Sequence, residues 1–195
     1  MSIVQPRKAL LEQLARYAYQ WSPEAVFPLV SGQMSNEYLD CKKALGQPET
    51  MANLGPVVLG MLRSEVVAIG GLTMGADPIA MSACQTSARA DHKARWFSVR
   101  KEPKKHGLQK LIEGCVERDE PVAVVDDVVT TGGSTVQAIV ACRDFGLRVV
   151  QVIVLVDRQQ SEGLAKIERA AGFKVDVICT KGEIADEWHR QHALR

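Results

Sequence analysis

The sequence predicts an α/β fold, with a central parallel sheet flanked by helices. Two observations carry that expectation. From residue 66 onward the apolar runs "VVAIGG", "ARWFSV", "PVAVV", "RVVQVIVLVD" and "KVDVIC" have strand length, and mostly helix-like segments separate them. Strands that alternate with helices bury a parallel sheet between two helical layers. The size also fits, because 195 residues, 46% hydrophobic and 24% charged, suit one globular domain with a sizeable core. The formal net charge of +1 excludes the global basic field of most nucleic-acid binders, so any cationic site is local. Five cysteines, widely spaced and in no CxxC pair, fit buried thiols in a reducing compartment better than a disulfide frame or a zinc site. The start "MSIVQPRKALLEQ" lacks a signal-peptide apolar region, and no apolar stretch is long enough to cross a bilayer, which points to the cytoplasm.

Taken in order, "PRKALLEQLARYAY" places Leu10, Leu11, Leu14, Tyr17 and Ala18 at helical spacing behind Pro6, whose fixed φ suits a first turn. "AVFPLV" and "NEYLDCK" read as short strands around the turn residues "SGQMS", and "PETMANLGPVVLGMLRS" returns to a helical pattern despite Gly55 and Pro56. "VVAIGG" is the first strand of the main sheet. The stretch "GGLTMGADPIA" then turns on glycines into a helix, with Asp77 as its expected N-cap and Pro78 at its first position. "ARWFSV" follows as a strand and "RKEPKKHG" as a basic loop, since Pro103 and Gly107 discourage helix. "PVAVV" is a buried strand, and "STVQAIVACRDFG" a helix with Val136, Ile139, Val140 and Phe145 apolar and a stop at Gly146. "RVVQVIVLVD" and "KVDVIC" complete the sheet. No internal repeat, low-complexity tract or linker interrupts the series.

Ligands of open α/β sheets bind beyond the carboxyl ends of the strands. At one such end stands "VAVVDDVVTTGGST", residues 122–135. Backbone N–H groups at the start of the following helix point at one spot, and the helix dipole adds positive charge there. Gly132 and Gly133 permit close approach, and Thr130, Thr131, Ser134 and Thr135 offer hydroxyl donors. With no lysine after the glycines and no GxGxxG, neither a triphosphate nor a dinucleotide is indicated, and one terminal monophosphate fits. The adjacent carboxylates Asp126 and Asp127 would repel that phosphate unless they faced sugar hydroxyls or a magnesium ion. The ligand is therefore expected to be a phosphorylated sugar. The bland alternative is an N-capped helix behind two solvated aspartates.

The same stretch resembles the phosphoribosyl-diphosphate signature of the type I phosphoribosyltransferases. The segments "FPLVSGQMSNEYLD", "GGLTMGADPIA", "RKEPKKHG" with "LIEG" behind it, and "VLVDRQQ" are similar, in the same order, to those of the orotate enzymes of that class. The likeness runs from residue 27 to residue 160. It implies the type I phosphoribosyltransferase fold in a single domain over 1–195, with a small N-terminal hood over roughly 1–45 and a C-terminal helix packed on the core. It also implies transfer of 5-phosphoribosyl from phosphoribosyl diphosphate to orotate. Carried over position by position, phosphoribosyl diphosphate meets Arg100, Lys101, Lys104, His106, Asp126, Asp127, Val128, Val129, Thr130, Thr131, Gly132, Gly133 and Ser134. Orotate meets Thr130 and Arg158, and the catalytic roles fall to Lys104, His106 and Asp127. Magnesium (Mg2+) is expected to ride mainly on phosphoribosyl diphosphate, with no protein side chains assigned as metal ligands. The resemblance further implies a homodimer with shared sites, the basic loop of one subunit acting in its partner. Some relatives carry lysines where this chain has Val30 and Met74, so those lysine roles are not carried over.

Read on its own, the basic segment is equally a solvated loop or an RNA contact; beside a sugar-phosphate site it suits the departing pyrophosphate. Arg158, after "QVIVLVD", suits a planar carboxylate through its guanidinium fork, against the plainer reading of a surface ion pair with Asp157 or a helix cap. His189 and His192 share a helix face near the C-terminus, too few ligands for a zinc site. Two rivals stay open at this level. A phosphoribosyltransferase for another base would not need Arg158 to meet a carboxylate. A regulator that senses phosphoribosyl diphosphate without turning it over would add a DNA-binding region, and only one helix precedes the sheet region.

Overall fold

The computed structural model describes residues 3–28, 32–102, 111–160 and 162–193. The first part of the chain builds α1 (Val4–Tyr17), the short strands β1 (Tyr19–Trp21), β2 (Phe27–Pro28), β3 (Met34–Ser35) and β4 (Glu37–Leu39), then α2 (Cys41–Leu45) and α3 (Pro48–Met61). The rest alternates: β5 (Ala68–Leu72), α4 (Ala76–Ser87), β6 (Arg95–Val99), β7 (Ile112–Gly114), β8 (Pro121–Val129), α5 (Gly133–Phe145), β9 (Arg148–Asp157), α6 (Gly163–Ala171), β10 (Asp176–Thr180) and α7 (Lys181–Ala193). The main sheet has the order β10-β9-β8-β5-β6-β7. All its pairings are parallel except the edge, where β7 runs antiparallel to β6. The α/β architecture is as the alternation of apolar runs required, with the antiparallel edge added to the expected parallel sheet.

Side-chain alternation along the strands builds two cores. In β8, Val122 and Val124 join the layer under α5 and α6, while Ala123 and Val125 join the layer under α1, α3, α4 and α7. The same parity carries on into the acids, so Asp126 and Asp127 leave the strand on opposite faces. The cysteines are free thiols; Cys41, Cys142 and Cys179 are buried and Cys115 is exposed. Among the described residues, no helix is long and apolar enough to cross a membrane.

Four local expectations need correction. "NEYLDCK" is strand only through Leu39, because Asp40 accepts a hydrogen bond from the Lys42 backbone N–H at 3.1 Å and caps α2, which takes up Cys41 and Lys42. Strand β8 does not stop at Val125 but runs through both aspartates to Val129. Helix α4 begins at Ala76 with Gly75 at its N-cap, so Asp77 is not the cap and Pro78 is not the first residue. The Asp77 carboxylate is occupied instead by the hydroxyls of Thr73 and Ser98, each donating at 2.7 Å. Finally, the Thr135 hydroxyl is not available to a phosphate. It is buried and donates to Asp126 Oδ2 at 2.6 Å.

Candidate active site

The turn from β8 into α5 lines a cleft of about 240 Å³ formed by Asp126, Val128, Thr130, Thr131, Gly132, Gly133 and Ser134. Gly132 takes a left-handed φ of +71°, which lets the chain swing from strand to helix within a few residues. A Cβ there would lie 2.5 Å from the Gly163 carbonyl oxygen, so the turn is pressed against α6. Gly133 is different. Its added Cβ would meet only Thr131 Oγ1, at 3.8 Å, so this glycine faces the open cleft. The first turn of α5 leaves amide donors without intrahelical acceptors, at the positive end of the helix.

The two acids are held by different parts of the fold. Asp126 takes the Thr135 hydroxyl on Oδ2 and the Asp127 backbone N–H, at 3.0 Å, on Oδ1. Burial raises the Asp126 carboxyl above its ordinary value and the neighbouring Asp127 charge adds to that, with the Thr135 hydroxyl pulling the other way. Asp127 accepts the Val128 N–H on Oδ1 at 3.0 Å and pairs through Oδ2 with Lys42 Nζ at 2.9 Å. The Lys42 ammonium has its pKa raised, chiefly by that hydrogen bond. On the same side an added Cβ at Gly75 would stand 2.5 Å from Asp127 Oδ1, so the β5–α4 turn closes over the carboxylate.

Arg158 follows β9 directly, with its backbone N–H donating to Val129 O at 3.1 Å, which sets it beside the Thr130 turn. Its Nε is buried with no hydrogen-bond partner among the described residues. Arg100, at the end of β6, holds its backbone to Leu111 O at 2.8 Å, and its Nη1 lies 3.8 Å from Glu113 Oε1 on β7. The Lys101 carbonyl accepts from Gln137 Nε2 on α5 at 3.1 Å, which ties the start of the basic segment to the helix that carries the cradle. Asp126 through Ser134, Arg158, Arg100 and Lys101 thus gather at the carboxyl edge of the sheet. Lys104, His106 and Val30 lie outside the described residues. Met74 is exposed in the β5–α4 turn. Sequence reasoning missed Lys42, which no local pattern marks, since its partner stands 85 positions away.

Among the described residues no group of three or more His, Cys, Asp and Glu side chains converges as a metal site. The oxygens of Asp126 and Asp127 already accept from protein donors.

Buried acids on one strand, a cleft of hydroxyls and glycines at its end and Arg100 and Lys101 alongside, on a mostly parallel sheet, mark the type I phosphoribosyltransferase class. No protein-family model matches the chain. It is 40% identical over 169 residues, 84% of this chain and 89% of the relative, to the orotate phosphoribosyltransferase of Aquifex aeolicus. It is 36% identical over 190 residues, 97% of this chain and 93% of the relative, to that of Synechocystis. A crystal structure of Mycobacterium tuberculosis orotate phosphoribosyltransferase in complex with Fe(III) dicitrate superposes with a TM-score of 0.77 at 31% identity, covering 92% of this chain and 98% of that one. Another, in complex with 5-phospho-alpha-D-ribosyl 1-diphosphate, gives 0.70 at 26% identity, covering 92% of each. The chain belongs to the orotate phosphoribosyltransferase family. It is a pentosyltransferase of pyrimidine synthesis, moving 5-phosphoribosyl from phosphoribosyl diphosphate to orotate to give orotidine 5′-monophosphate and pyrophosphate.

Proposed function

We propose how the residues of this chain divide that reaction. The 5′-phosphate sits on Thr130, Thr131, Gly132, Gly133 and Ser134 of the cleft, which Val128 also lines, with Val129 at the end of β8 leading into the turn. Asp126 and Asp127 receive the ribose hydroxyls, and Arg158 with Thr130 receives orotate. The observation that supports the substrate assignment is the Nε of Arg158, buried beside the cradle with no hydrogen-bond partner among the described residues. A buried guanidinium donor without an acceptor costs about 1–3 kcal/mol, and a planar carboxylate meets it bidentately.

As pyrophosphate departs, positive charge develops at the anomeric carbon and negative charge on the leaving oxygens. No covalent nucleophile is needed. Arg100 and Lys101, with Lys104 and His106, stabilise the leaving group, and the cradle and Asp127 keep the ribose in line with the base. When bound with the substrate, magnesium neutralises diphosphate charge. The enzyme works in the cytoplasm as a homodimer, with Lys104 and His106 of each subunit serving the partner's site beside that site's own Arg100 and Lys101.

The test is loss of orotate absorbance on adding phosphoribosyl diphosphate and magnesium, with adenine, hypoxanthine and uracil run in parallel. Orotate alone should turn over, and chelating the metal should stop it. Comparable turnover of a purine would overturn the assignment of Arg158 to a carboxylate.

A further inference from the structure

We propose that Lys42 is a positioning residue of the ribose site, acting through Asp127. The inference rests on the reading of Asp127 as a ribose-hydroxyl acceptor. Lys42 reaches Asp127 from another part of the fold. Asp40 caps α2, the buried Cys41, Ala44 and Leu45 seat that helix on the core, and Lys42 is left pointing to the end of β8. There its Nζ bonds Oδ2 at 2.9 Å while the Val128 N–H holds Oδ1 at 3.0 Å.

The two donors fix the carboxylate at both oxygens, and Gly75 backs onto Oδ1 so closely that an added Cβ would stand 2.5 Å from it. The pair is asymmetric, since the Asp127 side chain is 10% exposed and that of Lys42 59%. A nearly buried acid directly after another buried acid needs a counter-charge, and Lys42 is the cation that the described residues place against it. The ammonium engages one lone pair of Oδ2 and leaves the carboxylate aimed, with acceptor capacity for a hydroxyl.

The prediction separates Lys42 from substrate contacts. Phosphoribosyl-diphosphate binding is measured by calorimetry for the wild type, Lys42→Met, Asp127→Asn and the double variant, and both KM values by assay for the wild type and Lys42→Met, with thermal melts to confirm folding. Lys42→Met should weaken phosphoribosyl diphosphate roughly three- to tenfold, the scale of a partly screened charge-assisted bond, and leave the KM of orotate unchanged. Lys42→Arg keeps the ion pair and should recover most of the loss, which also covers the case of a poorly folded methionine variant. The double variant should bind no more weakly than Asp127→Asn alone, because the lysine has nothing left to position. Multiplying losses in the double variant, or an unchanged affinity in Lys42→Met, would overturn the proposal. If Asp127→Asn itself leaves the affinity intact, the ribose reading of Asp127 fails first and this inference falls with it.

Discussion

Replacing Gly133 with valine tests the cradle, because the structure separates this glycine from its neighbour. A Cβ at Gly133 meets only Thr131 Oγ1, at 3.8 Å, and the residue opens α5 without a left-handed φ. Valine there should change stability by no more than about 1 kcal/mol, the ordinary spread of helix propensity. Its branched side chain would stand where the phosphate approaches the α5 amides. Losing two charge-assisted hydrogen bonds at about 1.5–3 kcal/mol each gives about 3–6 kcal/mol, at least a hundredfold in the affinity for phosphoribosyl diphosphate. Gly132→Val is the control. Its backbone is at φ +71°, and the added atom would lie 2.5 Å from Gly163 O and 2.9 Å from Ile167 Cγ1. Left-handed strain of about 1–2 kcal/mol plus the clash should lower Tm by several degrees, since about 1 kcal/mol corresponds to roughly 2–4 °C in a chain of this size. Calorimetric titration and a thermal melt of each variant decide the matter. A folded Gly133→Val protein with ordinary substrate affinity would refute the cradle, and one that melts as early as Gly132→Val would make the glycine structural.

Two further outcomes are expected. Arg158→Ala should weaken orotate by about 2–4 kcal/mol and phosphoribosyl diphosphate hardly at all, with Tm unchanged because the buried Nε has no partner to lose among the described residues. Equal losses for both substrates in steady-state kinetics would place the arginine outside the base site. Lys104→Ala and Asp127→Asn should each be inactive as homodimers. Refolded together in equal amounts, they should recover roughly a quarter of wild-type activity, since half the dimers are mixed and each of those has one site free of both lesions. Mixed dimers without activity would show that the basic segment serves its own subunit.

The sheet was legible because its strands are apolar on both faces and long enough to announce themselves. Strand β7 was not, since Ile112–Gly114 is too short to show alternation and runs antiparallel only because it folds back on β6. The aspartates were legible as a site but not as part of a strand. A charged pair ordinarily ends an apolar run, but here the hydroxyl of Thr135 and the ammonium of Lys42 take up the two carboxylates while β8 stays paired with β9 past them. The motif around Asp77 satisfies every local rule for an N-cap, yet Thr73 and Ser98 claim its carboxylate and the helix starts two residues earlier. In each case the miss is a tertiary partner that local pattern does not contain.

That view also resolves why acids stand next to an anion cradle. Strand alternation sends Asp126 toward α5 and Asp127 toward α2, so the two charges are taken up by separate partners. Asp126 nonetheless sits under the N-terminal turn of α5 and removes the Thr135 hydroxyl from the cradle. Its charge opposes the helix dipole that would otherwise draw any anion. On the proposed division of roles the cradle is expected to hold a lone phosphate only weakly. Tight binding would then need a ligand that also brings hydroxyls to the acids and a diphosphate to the cations, the combination that phosphoribosyl diphosphate carries and simpler phosphates lack.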